Sequence, residues 1–176
     1  LFVIEADESD GSFLNYDTDI AVITNVDPDH LDHYGSDSAF FEAFNSFASN
    51  ANEFAVVNAS DLGCQKLAVS KADGTIRFGY ENSQVELSDV DSSGPKVRFS
   101  LSNQSKIQLE LNIAGEHNAQ NAAAAVAVLV GLGYEFEQSC EAVANYQGAE
   151  RRFELHGEKR GVRVYDDFAH HPTEVA

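Results

Sequence analysis

Two short apolar runs, residues 1–5 (LFVIE) and 19–24 (DIAVIT), each stop at polar and acidic residues, and a third, residues 53–58 (EFAVVN), follows the same plan. Apolar runs of this length without polar alternation suit strands buried on both faces, which belong to parallel sheets covered by helices. Between the second and third run lies SDSAFFEAFNSFASNA, with Phe40, Phe41, Phe44 and Phe47 at helical spacing and Ser36 or Asp37 placed to cap it. Its aromatic stripe reads as core. Another helix is expected over residues 61–71, so the opening pattern is strand, helix, strand, helix, the pattern of an α/β fold with right-handed crossovers.

From residue 75 to 113 the texture changes. TIRFGY, QVELSDV, KVRFSL and KIQLELNI alternate polar and apolar, and DSSGP and SNQS punctuate them, which predicts three or four antiparallel strands of a meander. GEHNAQNAAAAVAVLVGLGY then reads as an alanine-rich helix ending near Gly131 or Gly133, and a further helix is expected over residues 137–146. QGAERRF breaks the pattern, so a domain boundary is expected at residues 147–149, dividing the chain into 1–148 and 149–176. Beyond it, RRFELHGEKRGVRVYDD predicts two strands turning at residues 158–161, and in FAHHPTEV Pro172 suits a first helical position. The chain opens inside an expected strand and closes on an expected first helical turn, so both ends are read as cut.

Eleven basic against twenty-nine acidic side chains give 176 residues a formal net charge of -18. Such a field argues against nucleic acid and against an anionic membrane surface as partners. An anionic substrate would have to enter through divalent cations, helix N-termini and a few placed basic groups. Cys64 and Cys140 stand far apart in no CxxC pattern, which fits reduced thiols in a cytosolic protein. Neither a membrane span nor a signal peptide is legible.

Four strings concentrate chemistry-bearing side chains. Glu5 is expected at the C-terminal end of the first strand, and NVDPDHLDHYGS follows the second, with His30 in its middle. Ligands gather at the carboxyl ends of parallel strands, so a carboxylate and an imidazole meeting there suit Mg²⁺ or Mn²⁺. No further His or Cys at ligand spacing completes a zinc set. The competing reading is a solvated acidic turn, since Asp, Asn and Pro28 are ordinary turn formers. Asn118 and Asn121, three apart at a helix opening, present two amides that suit the edge of a planar heterocycle; the alternative is Asn118 as N-cap with Asn121 solvated. Arg151 and Arg152 suit a phosphate clamp or pairing with the acidic surface. Asp166 and Asp167 end a strand, where capping is the plain role, and His170 and His171 precede a helix N-terminus.

EADESDGSF, TNVDPDHLDHYGS, GEHNAQNAAAA and RRFELHG...VYDDFAHHPTEV, in that order, resemble the motifs of the Mur ligases over essentially the whole chain. The fourth string resembles most the branch that adds the first amino acid. The resemblance implies a cytoplasmic, ATP- and Mg²⁺-dependent ligase of peptidoglycan synthesis that joins L-alanine to UDP-N-acetylmuramate. By that analogy the muramyl carboxylate takes the γ-phosphoryl group, the amine attacks the acyl phosphate, and phosphate leaves. It implies Glu5 and His30 as Mg²⁺ ligands, Asn118 and Asn121 at the adenine, and His117 at the nucleotide. It further implies Arg152 at the phosphates, Asp167 near the ribose, and Glu8, Ser9, His170 and His171 on the substrate side. Residues 149–176 would open a Rossmann-like C-terminal domain.

One departure stands out: nothing in the chain resembles the phosphate loop GxxxxGK[ST], which the family carries upstream of the first motif. The chain read alone is therefore expected to turn over little or nothing. A muropeptide-recycling ligase of the same family is the neighbouring reading, for which a KRSKF-like string is expected where this chain has LNYDTD. From other classes, a metal-dependent phosphohydrolase lacks a second ligand set and a water-activating base, and a non-catalytic Mg-nucleotide module would not need Glu5, His30, Asn118, Asn121, Arg152 and Asp167 all intact.

Overall fold

A computed structural model describes residues 2–29, 31–72, 74–149 and 154–169. Strands β1 (Ile20–Ile23), β2 (Phe54–Asn58), β3 (Ile76–Gly79), β4 (Val85–Asp91), β5 (Val97–Ser102) and β6 (Lys106–Leu111) form one sheet in that spatial order. The first three pair in parallel, with Ile20 opposite Phe54 and Val56 opposite Ile76, and β4 to β6 form an antiparallel meander. The fold class is the expected α/β arrangement of parallel strands, helices and a meander.

Side chains on successive residues of β2 point to opposite faces, and each face meets its own helical layer. Ala55 and Val57 join Ala21, Ile23, Phe40, Cys64 and Leu67 under α2 (Asp37–Ser49), whereas Val56 joins Phe78, Leu87, Phe99 and Leu101 under α3 (Glu116–Gly131) and α4 (Phe136–Ala144). Ala119, Ala122, Ala123 and Ala127 on α3 are buried, and their small side chains let the helix lie close to the sheet. Ser36 caps α2 as expected, its Oγ accepting from Ala39 N at 3.2 Å.

Three expectations need correction. Residues 2–5 join no ladder and are exposed, Phe2 at 95%. An apolar run becomes a strand only where a neighbour takes its N–H and C=O groups, and the described sheet begins at β1. Residues 61–71 hold two short 3₁₀ segments, Cys64–Lys66 and Ala68–Lys71, in place of a helix. Side chains compete with the helical ladder there: Asp61 Oδ1 accepts from Cys64 N at 2.7 Å, Asn45 Oδ1 accepts from Ala68 N at 2.8 Å, and Leu67 between them is extended at ψ 135°. TIRFGY, assigned to the meander, supplies β3, which runs parallel to both neighbours; the connection to β4 turns with Asn82 at φ 57°.

A separate two-stranded sheet, β7 (Glu154–Lys159) and β8 (Val162–Asp166), falls within the expected unit. Lys159 pairs Val162 across Arg160 and Gly161, at φ 56° and 77°, the signs that a type I′ hairpin turn requires.

Candidate functional site

The C-terminal tips of β1, β2 and β3 face the first turns of α3 across a cavity of about 370 Å³. That volume lies within the range of small-molecule sites. Polar groups line it: Thr24 and Asn25 from the β1 exit, Asn58 and Ser60 from β2, and His117, Gln120 and Asn121 from α3. A smaller cavity of about 260 Å³ adjoins it, sharing Ser60 and Tyr80.

A hydrogen-bond network joins these walls. Asn58, 2% exposed, donates from Nδ2 to the Thr24 carbonyl at 2.9 Å and to Gln120 Oε1 at 3.0 Å, and its Oδ1 accepts from Ser60 N at 2.9 Å. Ser60 Oγ accepts from Tyr80 N at 2.6 Å, and the Tyr80 hydroxyl donates to Glu116 on α3. Burial first, then Glu116, pushes the Tyr80 hydroxyl far above its ordinary pKa, so it remains a donor. Gly79 is a glycine for room as well as for its φ of 133°, because a Cβ there would fall 2.3 Å from Ser60 Oγ.

The N-terminus of α3 is shaped by Gly115, whose φ of 98° no ordinary residue adopts cheaply and which provides no side-chain cap. His117 folds back over it: a Cβ on Gly115 would lie 2.4 Å from His117 Cε1. Asn118 is not the N-cap; it donates from Nδ2 to the Ala114 carbonyl at 2.7 Å and lies 3.1 Å from His117 Nε2. The Ala114 oxygen can only accept, which fixes the Asn118 amide nitrogen on that side and sets it beside the His117 ring. Asn121 lines the cavity and is exposed, with no hydrogen-bond partner for its amide among the described residues. An amide and an imidazole beside an uncapped helix N-terminus offer donors and acceptors to a planar heterocycle and a positive dipole end to an anion.

The loop leaving β1 is clamped from below. Asp61 Oδ1 accepts from Val26 N at 3.1 Å, Cys64 Sγ lies 3.9 Å from the Ile23 carbonyl, and Gly63 sits so close that a Cβ would fall 1.7 Å from the Val26 carbonyl oxygen. The N-terminal segment is pinned beside this loop by Phe13, whose ring lies 5.4 and 5.1 Å from those of Phe44 and Phe47, by His33 against Gly11, and by the Tyr34 hydroxyl donating to the Glu8 carbonyl. Burial, then Glu8, Asp10 and Asp7, push the Tyr34 hydroxyl up. Several acidic residues here cap turns: Asp7 Oδ1 accepts from Ser9 N at 2.8 Å and Asp10 Oδ1 from Ser12 N at 2.9 Å.

Of the sequence-predicted residues, His117 and Asn121 share the cavity, while Asn118 braces His117 from behind. Glu5 is exposed and joins no lining; Glu8 and Ser9 lie in the pinned segment; Asp167 follows β8, its Oδ1 accepting from Ala169 N at 2.7 Å. His30, Arg152, His170 and His171 fall outside the described residues. Among the described residues no three His, Cys, Asp or Glu side chains converge on a metal-sized point. Sequence reasoning missed Asn58, Ser60, Tyr80 and Gln120. The rule that led to Glu5 and His30, polar residues at a strand's carboxyl end, applies equally to NAS after VV, and misses Tyr80 only because β3 was read as meander.

The family model for the Mur ligase middle domain matches residues 1–129. The chain is 50% identical over 177 aligned residues to the UDP-N-acetylmuramate–L-alanine ligase of Clavibacter michiganensis, covering 99% of this chain and 37% of that protein. Among solved structures, the UDP-N-acetylmuramate-alanine ligase of Thermotoga maritima superposes with a TM-score of 0.79 at 29% identity, over 97% of this chain and 39% of that one. MurF of Acinetobacter baumannii gives 0.78 at 26% identity, over 90% and 36%. The chain thus spans less than two-fifths of the length of these relatives.

Proposed function

The chain belongs to the Mur ligase family through its middle domain, and from that premise we propose that it forms the nucleotide-binding core of an ATP-dependent ligase. The reaction proposed is the joining of L-alanine to UDP-N-acetylmuramate in peptidoglycan synthesis, carried out in the cytoplasm, on the strength of 50% identity to a ligase of that name. The observation that carries the nucleotide reading is the cavity at three parallel strand tips, where Asn121 presents an unpartnered amide beside His117 and the uncapped α3 N-terminus.

In this reading the Asn121 amide and the His117 imidazole read the purine edge, and the contact from Asn118 braces the His117 ring. The exposed Glu5 carboxylate is the kind of hard oxygen ligand that Mg²⁺ takes, and His30 is the proposed second ligand. What Mg²⁺ supplies when bound is neutralisation of phosphoryl charge. Support for pairing Glu5 with His30 comes from the Tyr34–Glu8 bond, since Glu5 precedes Glu8 by three residues and His30 precedes Tyr34 by four. Arg152 is proposed at the phosphates, Asp167 at the ribose, and Glu8, Ser9, His170 and His171 on the substrate side. The separate sheet of β7 and β8 supports a division near residues 148 and 149, with a second, Rossmann-like domain beginning there.

The test is phosphate release by the complete gene product. It should require UDP-N-acetylmuramate, L-alanine, ATP and Mg²⁺ together; steady ATP hydrolysis without either acceptor would contradict the ligase. A tripeptide accepted in preference to L-alanine would indicate the recycling branch.

A further inference from the structure

The two cavities at the strand tips share a wall, because Tyr80 lines both. This tyrosine directly follows β3 and is tied at both ends. Its backbone N donates to Ser60 Oγ at 2.6 Å, and its hydroxyl donates to Glu116 on the first turn of α3, with the Gln120 amide beside it. The side chain therefore spans the gap from sheet to helix, and its ring stands between the larger cavity and the smaller one. Gly79 makes this placement possible, since a Cβ there would fall 2.3 Å from Ser60 Oγ and push the Ser60 turn away.

Apart from Leu62, His117 and Tyr80, the larger cavity is lined by hydroxyl, amide and carboxyl side chains. Such groups bond the edge of a heterocycle and give little to its flat face. A ring already fixed at both ends offers that face a stacking surface without losing side-chain freedom on binding. We propose that Tyr80 is the platform on which the nucleobase stacks, while Asn121 reads the edge. Stacking tolerates any base, so Tyr80 contributes affinity and the edge groups contribute the choice of base. This role rests on the reading of the cavity as a nucleotide site.

The test uses the complete gene product and measures the Kd for ADP and for tripolyphosphate by calorimetry, and the adenine ultraviolet band on binding, which loses intensity when the base is stacked. Tyr80→Phe and Tyr80→Leu both lose the hydroxyl and differ in the ring. Tyr80→Phe should stay within about threefold of wild type in its Kd for ADP, whereas Tyr80→Leu should be weaker by about tenfold or more. Tripolyphosphate has no base, and its Kd should move less than about twofold in either variant. The band should lose intensity with wild type and Tyr80→Phe and keep it with Tyr80→Leu. Equal weakening of ADP in the two variants would make the hydroxyl bonds, not the ring, the contribution of Tyr80 and would overturn the inference, as would tripolyphosphate weakened as much as ADP. Tyr80 packs against the core, so Tyr80→Leu is also followed by its melting midpoint. If it does not fold, wild type decides alone: an adenine band unchanged on binding refutes the platform. Asn121→Ala separates the two levels. If it leaves the Kd for ADP unchanged, the nucleotide reading fails and takes this inference with it; if it raises that Kd while both Tyr80 variants bind as wild type, only the platform is lost.

Discussion

The hydroxyl of Tyr34 donates to the backbone carbonyl of Glu8, joining two stretches 26 residues apart in sequence. Tyr34 closes α1 (Leu31–Tyr34), which begins directly after His30, and Glu8 lies in the unladdered segment that carries Glu5. Tyr34→Phe keeps the ring against Phe40 and removes only this bond. It should cost about 1 kcal/mol in urea unfolding and raise the Mg²⁺ concentration for half-maximal rate several-fold. An unchanged Mg²⁺ requirement would mean that the bond does not serve the metal pair.

Gly63 has ordinary helical angles, φ -72° and ψ -46°, so its need for glycine is purely spatial. A Cβ would overlap the Val26 carbonyl oxygen at 1.7 Å, a backbone atom that cannot swing aside. Gly63→Ala should therefore destabilise by about 3 kcal/mol or more. Gly94 is the control, because a Cβ there would meet nothing within 4 Å and its φ is not left-handed. Gly94→Ala should be neutral or stabilise by about 0.5 kcal/mol through the unfolded chain. Equal urea midpoints for the two variants would refute the close approach.

Phe13 is 1% exposed within a short 3₁₀ segment, Ser12–Asn15, and is the main apolar anchor of the N-terminal stretch. Phe13→Ala should cost about 3–5 kcal/mol. Amide exchange should quicken first in residues 5–16, because Phe44 and Phe47 lose the ring that holds that stretch down.

Both thiols are buried and free. Burial, then Glu137, pushes Cys140 up to about 11, and burial with Asp61 pushes Cys64 higher still. The thiolate is the reactive form, so neither should react with a maleimide at neutral pH while the chain is folded, and both should react in urea. Rapid labelling of the native protein would contradict the burial.

Strand β2 was legible because burial on both faces writes a continuous apolar run at residues 54–58, α2 because its periodicity and its Ser36 cap agree, and α3 from its alanine-rich apolar run. What misled was context that local pattern does not carry. Residues 2–5 have the composition of a strand but no ladder, and residues 61–71 have the composition of a helix but give up backbone N–H groups to Asp61 at their start and to Asn45 reaching in from α2. At the cavity, Asn121 was legible as a polar residue opening a helix, and His117 only through the family resemblance. Asn58 and Tyr80 matter through bonds to Gln120 and Glu116, 62 and 36 residues away, and no spacing rule announces those.

Whether the strand-tip cavity holds the nucleotide is decided by a crystal structure of the complete gene product with Mg²⁺ and a non-hydrolysable ATP analogue. The purine should lie between the β1–β3 tips and α3, within hydrogen-bond reach of the Asn121 amide, with Glu5 and His30 on one metal ion. A purine bound elsewhere, with that cavity holding only solvent, would refute the nucleotide site.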